Sequence, residues 1–258
     1  MKAMILAGGY GTRLAEETTT RPKPMVEIGG RPILWHIMQH YAAHGINEFV
    51  VCLGYKGDYI KKFFLDYAAT LSDFTVDLGT AHVDVHRKRA EDWKITLVDT
   101  GQDTMTGGRV KRGIHYIGDD DAFCMTYGDG LSEVDITGSI AFHRGHGKLA
   151  TVTAVTPPGR FGVLDVQKDY SVSGFREKIA SDQYQINGGF FVLSRKVAEY
   201  IKDDTSIWEA EPMIGLARDN ELNAWHHQGF WQPMDTLRDK QYLESIWTKG
   251  NAPWLVGR

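Results

Sequence analysis

AMILAGGYGTRL, residues 3–14, is the stretch on which the reading of this chain turns. Ala3–Ala7 is a short apolar run of strand length, and it breaks at Gly8, Gly9 and Gly11. That pattern describes a buried strand entering a tight turn. Glycines at a strand end let the backbone come close to a polyphosphate, with successive N–H groups aimed at its oxygens. The Walker pattern is not met, because no Gly-Lys-Ser/Thr follows. Arg13, at the end of the loop, carries a fork that can engage two phosphate oxygens. Taken alone, the same letters equally describe a tight turn followed by a surface arginine.

Arg21-Pro22-Lys23-Pro24-Met25-Val26 comes next. Two prolines fix φ on both sides of Lys23 and favour an extended path. A surface lysine has no need of such stiffening, whereas a lysine presenting its ammonium to a phosphate gains from it. Gly29-Gly30-Arg31-Pro32 then turns into a helix over Pro32–His44, with Ile33, Ile37 and Tyr41 on one face. Further along, Phe49–Leu53 reads as a strand, Tyr59–Tyr67 as a helix, and residues 74–98 as shorter, more polar strands. A helix near Gly108–Tyr116 leads to the strand Ala122–Tyr127, then a helix over Asp135–His146 and a strand over Leu149–Val155.

This alternation predicts an α/β chain of βαβ units around a doubly wound, mainly parallel sheet. The second half adds strand-like Val163–Val166, Val172–Arg176 and Gly189–Leu193, and helices near Ser206–Arg218 and Thr236–Thr248. We expect one domain over residues 1–258, with an inserted, partly antiparallel ligand-binding portion. Ligands in such sheets lie beyond the carboxyl ends of the strands.

The bulk properties narrow the function classes. Hydrophobic residues make up 42% and charged residues 24%, an ordinary globular balance that needs no disulfide or structural metal. A net charge of −4 sets up no basic field toward nucleic acid or anionic lipid, so neither is expected as a partner. An anionic ligand must be held by a local cluster. Cys52 and Cys124 each sit in an apolar run, as buried strand cysteines of a reduced cytoplasmic protein do. No stretch approaches the roughly 18 apolar residues of a membrane span, and Gly8, Gly9 and Arg13 interrupt any leader, so an unprocessed chain is expected.

Tyr127-Gly128-Asp129-Gly130 follows a strongly apolar strand. An acid between glycines is often only a turn residue, but a strand end of this sheet is also where a metal ligand would stand. Mg2+ held by carboxylates and substrate phosphate calls for a second acid. Asp235 in Gln232-Pro233-Met234-Asp235 otherwise reads as the N-cap of the last helix.

LAGGYGTRL followed by RPKPMVEIGGRPIL closely resembles the opening signature of the sugar-1-phosphate nucleotidyltransferases. The resemblance continues, in order, through WHIM, WKITLVDTG, MTGGR, TYGDG, PPGRFG, INGGFFVL and GFWQPMDTLRD, over almost the whole chain. It implies a Rossmann-like nucleotidyltransferase fold that carries a cytidylyl group from CTP to a sugar 1-phosphate, with glucose 1-phosphate the leading acceptor. Product use in deoxysugar and polysaccharide (O-antigen, lipopolysaccharide) synthesis and a homo-oligomeric state are implied with it. Leu6, Ala7, Gly8, Gly9, Tyr10, Gly11 and Thr12 would hold the nucleotide together with Gly128, and Arg13 would clamp its phosphates. Lys23 would stabilise the α-phosphate during attack, and Thr104 and Arg109 would help build the nucleotide site. Asp129 and Asp235 would be the Mg2+ pair. At the sugar-phosphate end, Lys178 would neutralise the phosphate, Glu177 and Asn187 would bond hydroxyls, and Gly162 and Gly188 would let backbone approach the sugar.

The chain departs from the family where Pro usually follows the Glu-Lys pair: here Glu177-Lys178 runs on as Ile179-Ala180-Ser181-Asp182. That leaves the reaction type standing and the identity of the sugar open. UTP or dTTP as donor, another phosphorylated acceptor, and a non-catalytic nucleotide-sugar sensor are the competing readings. His36, His40 and His44, like His82, His86, His143 and His146, have no matching carboxylate or cysteine and are expected to be surface or structural residues. Trp225, Trp231 and Trp247 are expected in the core or at an interface. No Ser-His-Asp set is evident, and none is needed, because a sugar phosphate with a second pKa near 6 is already mostly dianionic at neutral pH.

Overall fold

The computed structural model describes residues 1–87, 90–157, 163–176 and 184–255. Seven strands make the central sheet: β1 Ala3–Ala7, β2 Glu48–Leu53, β3 Lys94–Asp99, β4 Ala122–Tyr127, β5 Ala150–Val155, β6 Ile186–Ser194 and β7 Leu222–His227. Their order across the sheet is β7-β5-β6-β4-β1-β2-β3. β1 pairs parallel with β2 and β4, β2 with β3, and β5 with β7, while β6 lies antiparallel between β4 and β5. The expected mainly parallel α/β sheet is thus present, with one strand reversed.

Helices α1 Ile33–Ala43, α2 Gly57–Leu71, α3 Thr106–Gly113, α4 Ile136–His146, α5 Glu211–Arg218 and α6 Leu237–Thr248 cover it. The apolar run of β1 follows from burial on both faces. Ala3, Ile5 and Ala7 pack with α1 on one side, and Met4 and Leu6 with Val110 of α3 on the other. The partly buried Trp225, Trp231 and Trp247 pack against the first of these cores.

Several elements differ from the sequence reading. α2 extends past the expected Tyr59–Tyr67 at both ends, its Phe63, Phe64 and Tyr67 rings packing on one another. α5 starts at Glu211, with Pro212 in its first turn, and not near Ser206. Before it, Asp203 closes a local turn, accepting from the Thr205 N–H at 2.9 Å while its own N–H donates to Ser206 Oγ at 3.1 Å. β7 is not anticipated by the sequence, since Leu-Asn-Ala-Trp-His-His has little apolar character; among the described residues it is an edge strand paired only with β5.

The helix histidines are structural. His36 accepts at Nδ1 from the Trp254 indole (3.1 Å), so its Nε2 donates to the Ile28 carbonyl (2.8 Å) and the ring is neutral. Burial, reinforced by the neighbouring His44, lowers the His40 pKa to about 4, and burial with His146 does the same for His143. The unfolded chain therefore binds protons on these rings below about pH 6.5 that the folded chain refuses until about pH 4. Stability is fully present above that window and falls as pH drops through it. The unfolding midpoint should drop on the order of 5 °C between pH 7 and 4.5. His143→Gln, which keeps a partner for Thr151 Oγ1 (3.0 Å), should flatten part of that slope. An identical slope in the variant would remove His143 from the account.

Candidate active site

β1 and β4 are neighbours, and the chain leaves their carboxyl ends in different directions, which opens a crevice there. A cleft of about 540 Å³ fills it, lined by Leu6 through Arg13, Lys23, Gln102 through Thr106, Arg109, Tyr127 through Asp129, and Glu209. Gly11, with φ of +64°, takes the left-handed turn that starts the helical turn Thr12–Leu14 and swings Arg13 back toward the crevice. Gly8 is required for a different reason. A Cβ there would lie 2.3 Å from Arg109 Nη1, and that guanidinium cannot give way. Its Nη1 donates to Leu53 O, Thr100 Oγ1 and Gly101 O at 2.7–2.9 Å, and its Nη2 to Gly8 O and Gln102 O at 3.1 Å. Arg109 lines the cleft, yet its donors brace the two loops that form the floor.

The MTGGR segment, silent as a motif, has a packing explanation. Gly107 and Gly108 leave no room for a Cβ because Ser206 O and the Asp204 backbone lie 2.7 and 2.6 Å from where it would be. The 203–209 segment lies against the start of α3, whose Met105 and Gly107 N–H groups donate to Asp204 O and Ser206 O. Thr104 is buried on the cleft wall.

Lys23 was expected on an extended path. Pro22 is extended, but Lys23–Met25 forms one tight helical turn with Pro24 inside it. This turn buries the lysine, 7% exposed, and aims it into the cleft. Nζ donates to Asp129 Oδ2 at 2.7 Å and to Asp235 Oδ1 at 2.8 Å. Arg13 Nη1 donates to the other oxygen of Asp235 at 2.8 Å. Burial pulls the Lys23 ammonium toward neutrality, but the two carboxylates outweigh it and hold its pKa above the ordinary lysine value. It is a cation at any pH the protein meets.

Asp129 and Asp235 meet through a small antiparallel ribbon. Trp231, Gln232 and Pro233 pair with Ser132, Leu131 and Gly130, and Met234 N–H donates to Asp129 O at 2.8 Å. Asp235 is not the cap of α6. Thr236 is, in a capping box with Asp239. Asp235 is thereby free to turn its carboxylate to the cations.

A second, small cavity of about 60 Å³ shares Tyr127 and Asp129 with the cleft and is lined also by Asn187, Gly188, Gly189 and Trp231. Asn187 Nδ2 donates to the Tyr127 hydroxyl at 3.3 Å, and Trp231 Nε1 to Gly188 O at 2.7 Å. Gly162, Glu177 and Lys178, with the Ile179–Asp182 departure, lie outside the described residues. The sequence reading missed Gln102, Asp103, Tyr127 and Glu209. Asp103 Oδ1 accepts from the Tyr10 hydroxyl at 2.8 Å, tying the glycine loop to the facing loop. Only folding reveals that contact.

Among the described residues no set of three histidine, cysteine or acidic groups is placed to hold a metal. Two carboxylates converging on one ammonium nevertheless suit a hard divalent ion that takes further oxygens from water and phosphate. The donor set fits Mg2+, provided Lys23 yields the position its ammonium holds.

A glycine-loop crevice at the switch of a doubly wound sheet, with cations and acids clustered at one end, is the ligand site of a nucleotide-handling α/β protein. The chain belongs to the nucleotidyl transferase family, whose model matches residues 2–232. It is 57% identical over 254 residues to the glucose-1-phosphate cytidylyltransferase of Salmonella typhi, covering 98% of each chain. It is 46% identical over 257 residues to the probable glucose-1-phosphate cytidylyltransferase of Bacillus subtilis, covering 99% of this chain and all of that one. Among solved structures, HddC from Yersinia pseudotuberculosis matches with a TM-score of 0.68 at 24% identity, over 95% of this chain and 99% of that one, which establishes the shared fold.

Proposed function

We propose that the protein transfers a cytidylyl group from CTP to α-D-glucose 1-phosphate, giving CDP-glucose and pyrophosphate. The observation that carries the reaction type is the cluster in which Arg13, Lys23 and Asp129 line the large cleft and Asp235, outside that lining, bonds both cations. The relatives above, alike over nearly the full chain, supply the choice of CTP and glucose 1-phosphate.

The chemistry is an in-line attack by a phosphate oxygen of the sugar 1-phosphate on the α-phosphorus of CTP. That oxygen is already anionic, so no general base is needed and the barrier is mainly that of joining two anions. The glycine loop orients the triphosphate. Lys23 transfers its ammonium from the two carboxylates to the α-phosphate, and Arg13 its fork from Asp235 to the phosphates. Asp129 and Asp235 would hold Mg2+, which when bound neutralises charge on the triphosphate. Asn187 and Gly188, which line the small cavity, would contact the sugar, and the resemblance assigns Glu177, Lys178 and Gly162 to the same task.

A cytoplasmic setting and deoxysugar or polysaccharide synthesis are part of the same reading; no helix among the described residues is long and apolar enough to cross a membrane. A homo-oligomer is part of it too. The hairpin Asp73–Asp77 with His82–Arg87 pairs Phe74 with Val85 and Val76 with Val83 on one face, all exposed. A two-stranded hairpin is marginal in water without cover, which supports contact with a second copy.

Pyrophosphate release measured with each of the four common triphosphates and glucose 1-phosphate is the test. CTP should exceed the others by at least about tenfold in kcat/KM. Equal rates with UTP or dTTP would sink the cytidylyl assignment, and no release with any triphosphate would favour a sensing module.

A further inference from the structure

Glu209 places a carboxylate in the wall of a cleft read as holding a triphosphate, where negative charge needs a reason. Nothing in the sequence motifs points to it. Its Oε1 accepts from the Tyr127 hydroxyl and its Oε2 from Thr106 Oγ1 at 2.7 Å. Thr106 Oγ1 in turn accepts from the Trp208 N–H at 2.9 Å, so its proton is committed to Glu209. Burial first, and then the Glu209 charge, raise the Tyr127 pKa, so the phenol stays a donor. The carboxylate is thereby clamped in one orientation by two neutral groups. An ionised carboxylate has about four lone-pair sites, and these two bonds leave others unused on a side chain that lines the cleft. Among the described residues no cation lies within ion-pair distance of it. A fixed acceptor of this kind recognises neutral hydroxyl donors, and a nucleotide brings two of them on its ribose. The hexose is the other source of hydroxyls. Glu209 lines the large cleft and is absent from the lining of the small cavity beside Asn187, which favours the ribose.

Building on the proposed reaction, we infer that Glu209, set by Tyr127 and Thr106, accepts a hydrogen bond from the ribose hydroxyls of the nucleotide and makes the enzyme selective for ribonucleotides. The experiment is titration calorimetry of CTP and 2′-deoxy-CTP, with UTP as a further arm, on the wild type, Glu209→Gln and Tyr127→Phe. kcat/KM is read in parallel with glucose 1-phosphate and its 2-deoxy analogue. A hydrogen bond to a charged group is worth about ten- to a hundredfold in binding. The wild type should prefer CTP over 2′-deoxy-CTP by about that factor. Glu209→Gln should lose most of the preference by weakening CTP alone, and Tyr127→Phe should lose a smaller part of it, since Thr106 still holds the carboxylate. Equal weakening of both nucleotides, or a Tyr127→Phe variant that loses more of the preference than Glu209→Gln, would make Glu209 a purely structural partner of Tyr127 and overturn the proposal. A change confined to the CTP-to-UTP ratio, or to the 2-deoxy hexose, would overturn it in favour of the base or the acceptor. A wild type that binds CTP without transferring it refutes the proposed reaction and leaves the binding ratios to judge Glu209.

Discussion

Asp129→Asn and Asp235→Asn should each remove most of the turnover and raise sharply the magnesium concentration that gives half-maximal rate. Each exchange keeps the side chain's size and removes the charge that draws a divalent cation. The two acids face one point, marked by the Lys23 ammonium at 2.7 and 2.8 Å, so they act as a unit. The double variant should be little worse than either single one, because members of one unit are non-additive. Helix α6 should be unaffected, since Thr236 and Asp239 cap it. Losing one acid also leaves a buried lysine with one partner fewer, and breaking a buried pair outright costs about 3–5 kcal/mol. The remaining acid should keep the loss below that, and thermal unfolding measured alongside turnover separates the two effects. An Asp235→Asn variant with unchanged turnover and magnesium dependence would mean that Asp129 has another partner.

Lys23→Ala should lower kcat by about 10²–10³ while CTP binding changes little, as expected for a contact that strengthens with charge developing at the α-phosphate. The variant also leaves Asp129 and Asp235 facing each other without their ammonium. Like charges at that separation repel, so the unliganded protein should unfold at a lower temperature than the wild type. Added magnesium should restore more stability to Lys23→Ala than it gives the wild type, in which the ammonium competes for the same oxygens. Near-normal turnover would take Lys23 out of the catalytic list. A magnesium response no larger than that of the wild type would separate the lysine's position from that of the metal.

Local chemistry carried much of this protein in plain sight. A buried strand breaking into Gly8, Gly9 and Gly11, a lysine set between prolines, and strands alternating with helices were legible because each depends on neighbours along the chain. They pointed to the sheet, and to a glycine loop, Arg13 and Lys23 that the structure brings together around one cleft. Folding alone supplied the partnerships. Lys23 and Asp235 are 212 positions apart, and Arg109 and Gly8 are 101 apart. The Thr236-x-x-Asp239 spacing beside Asp235 announces a capping box, but not that the freed acid meets Lys23 and Arg13. Nothing in MTGGR says that its glycines make room for the 203–209 segment, which carries Glu209 to Tyr127 from 82 positions away. Strand β7 escaped for the same reason, as did the place of the reversed β6 inside the central sheet. Propensity and spacing are properties of a window of sequence, whereas a contact between distant carboxylate and ammonium exists only once packing has fixed the path of the chain between them.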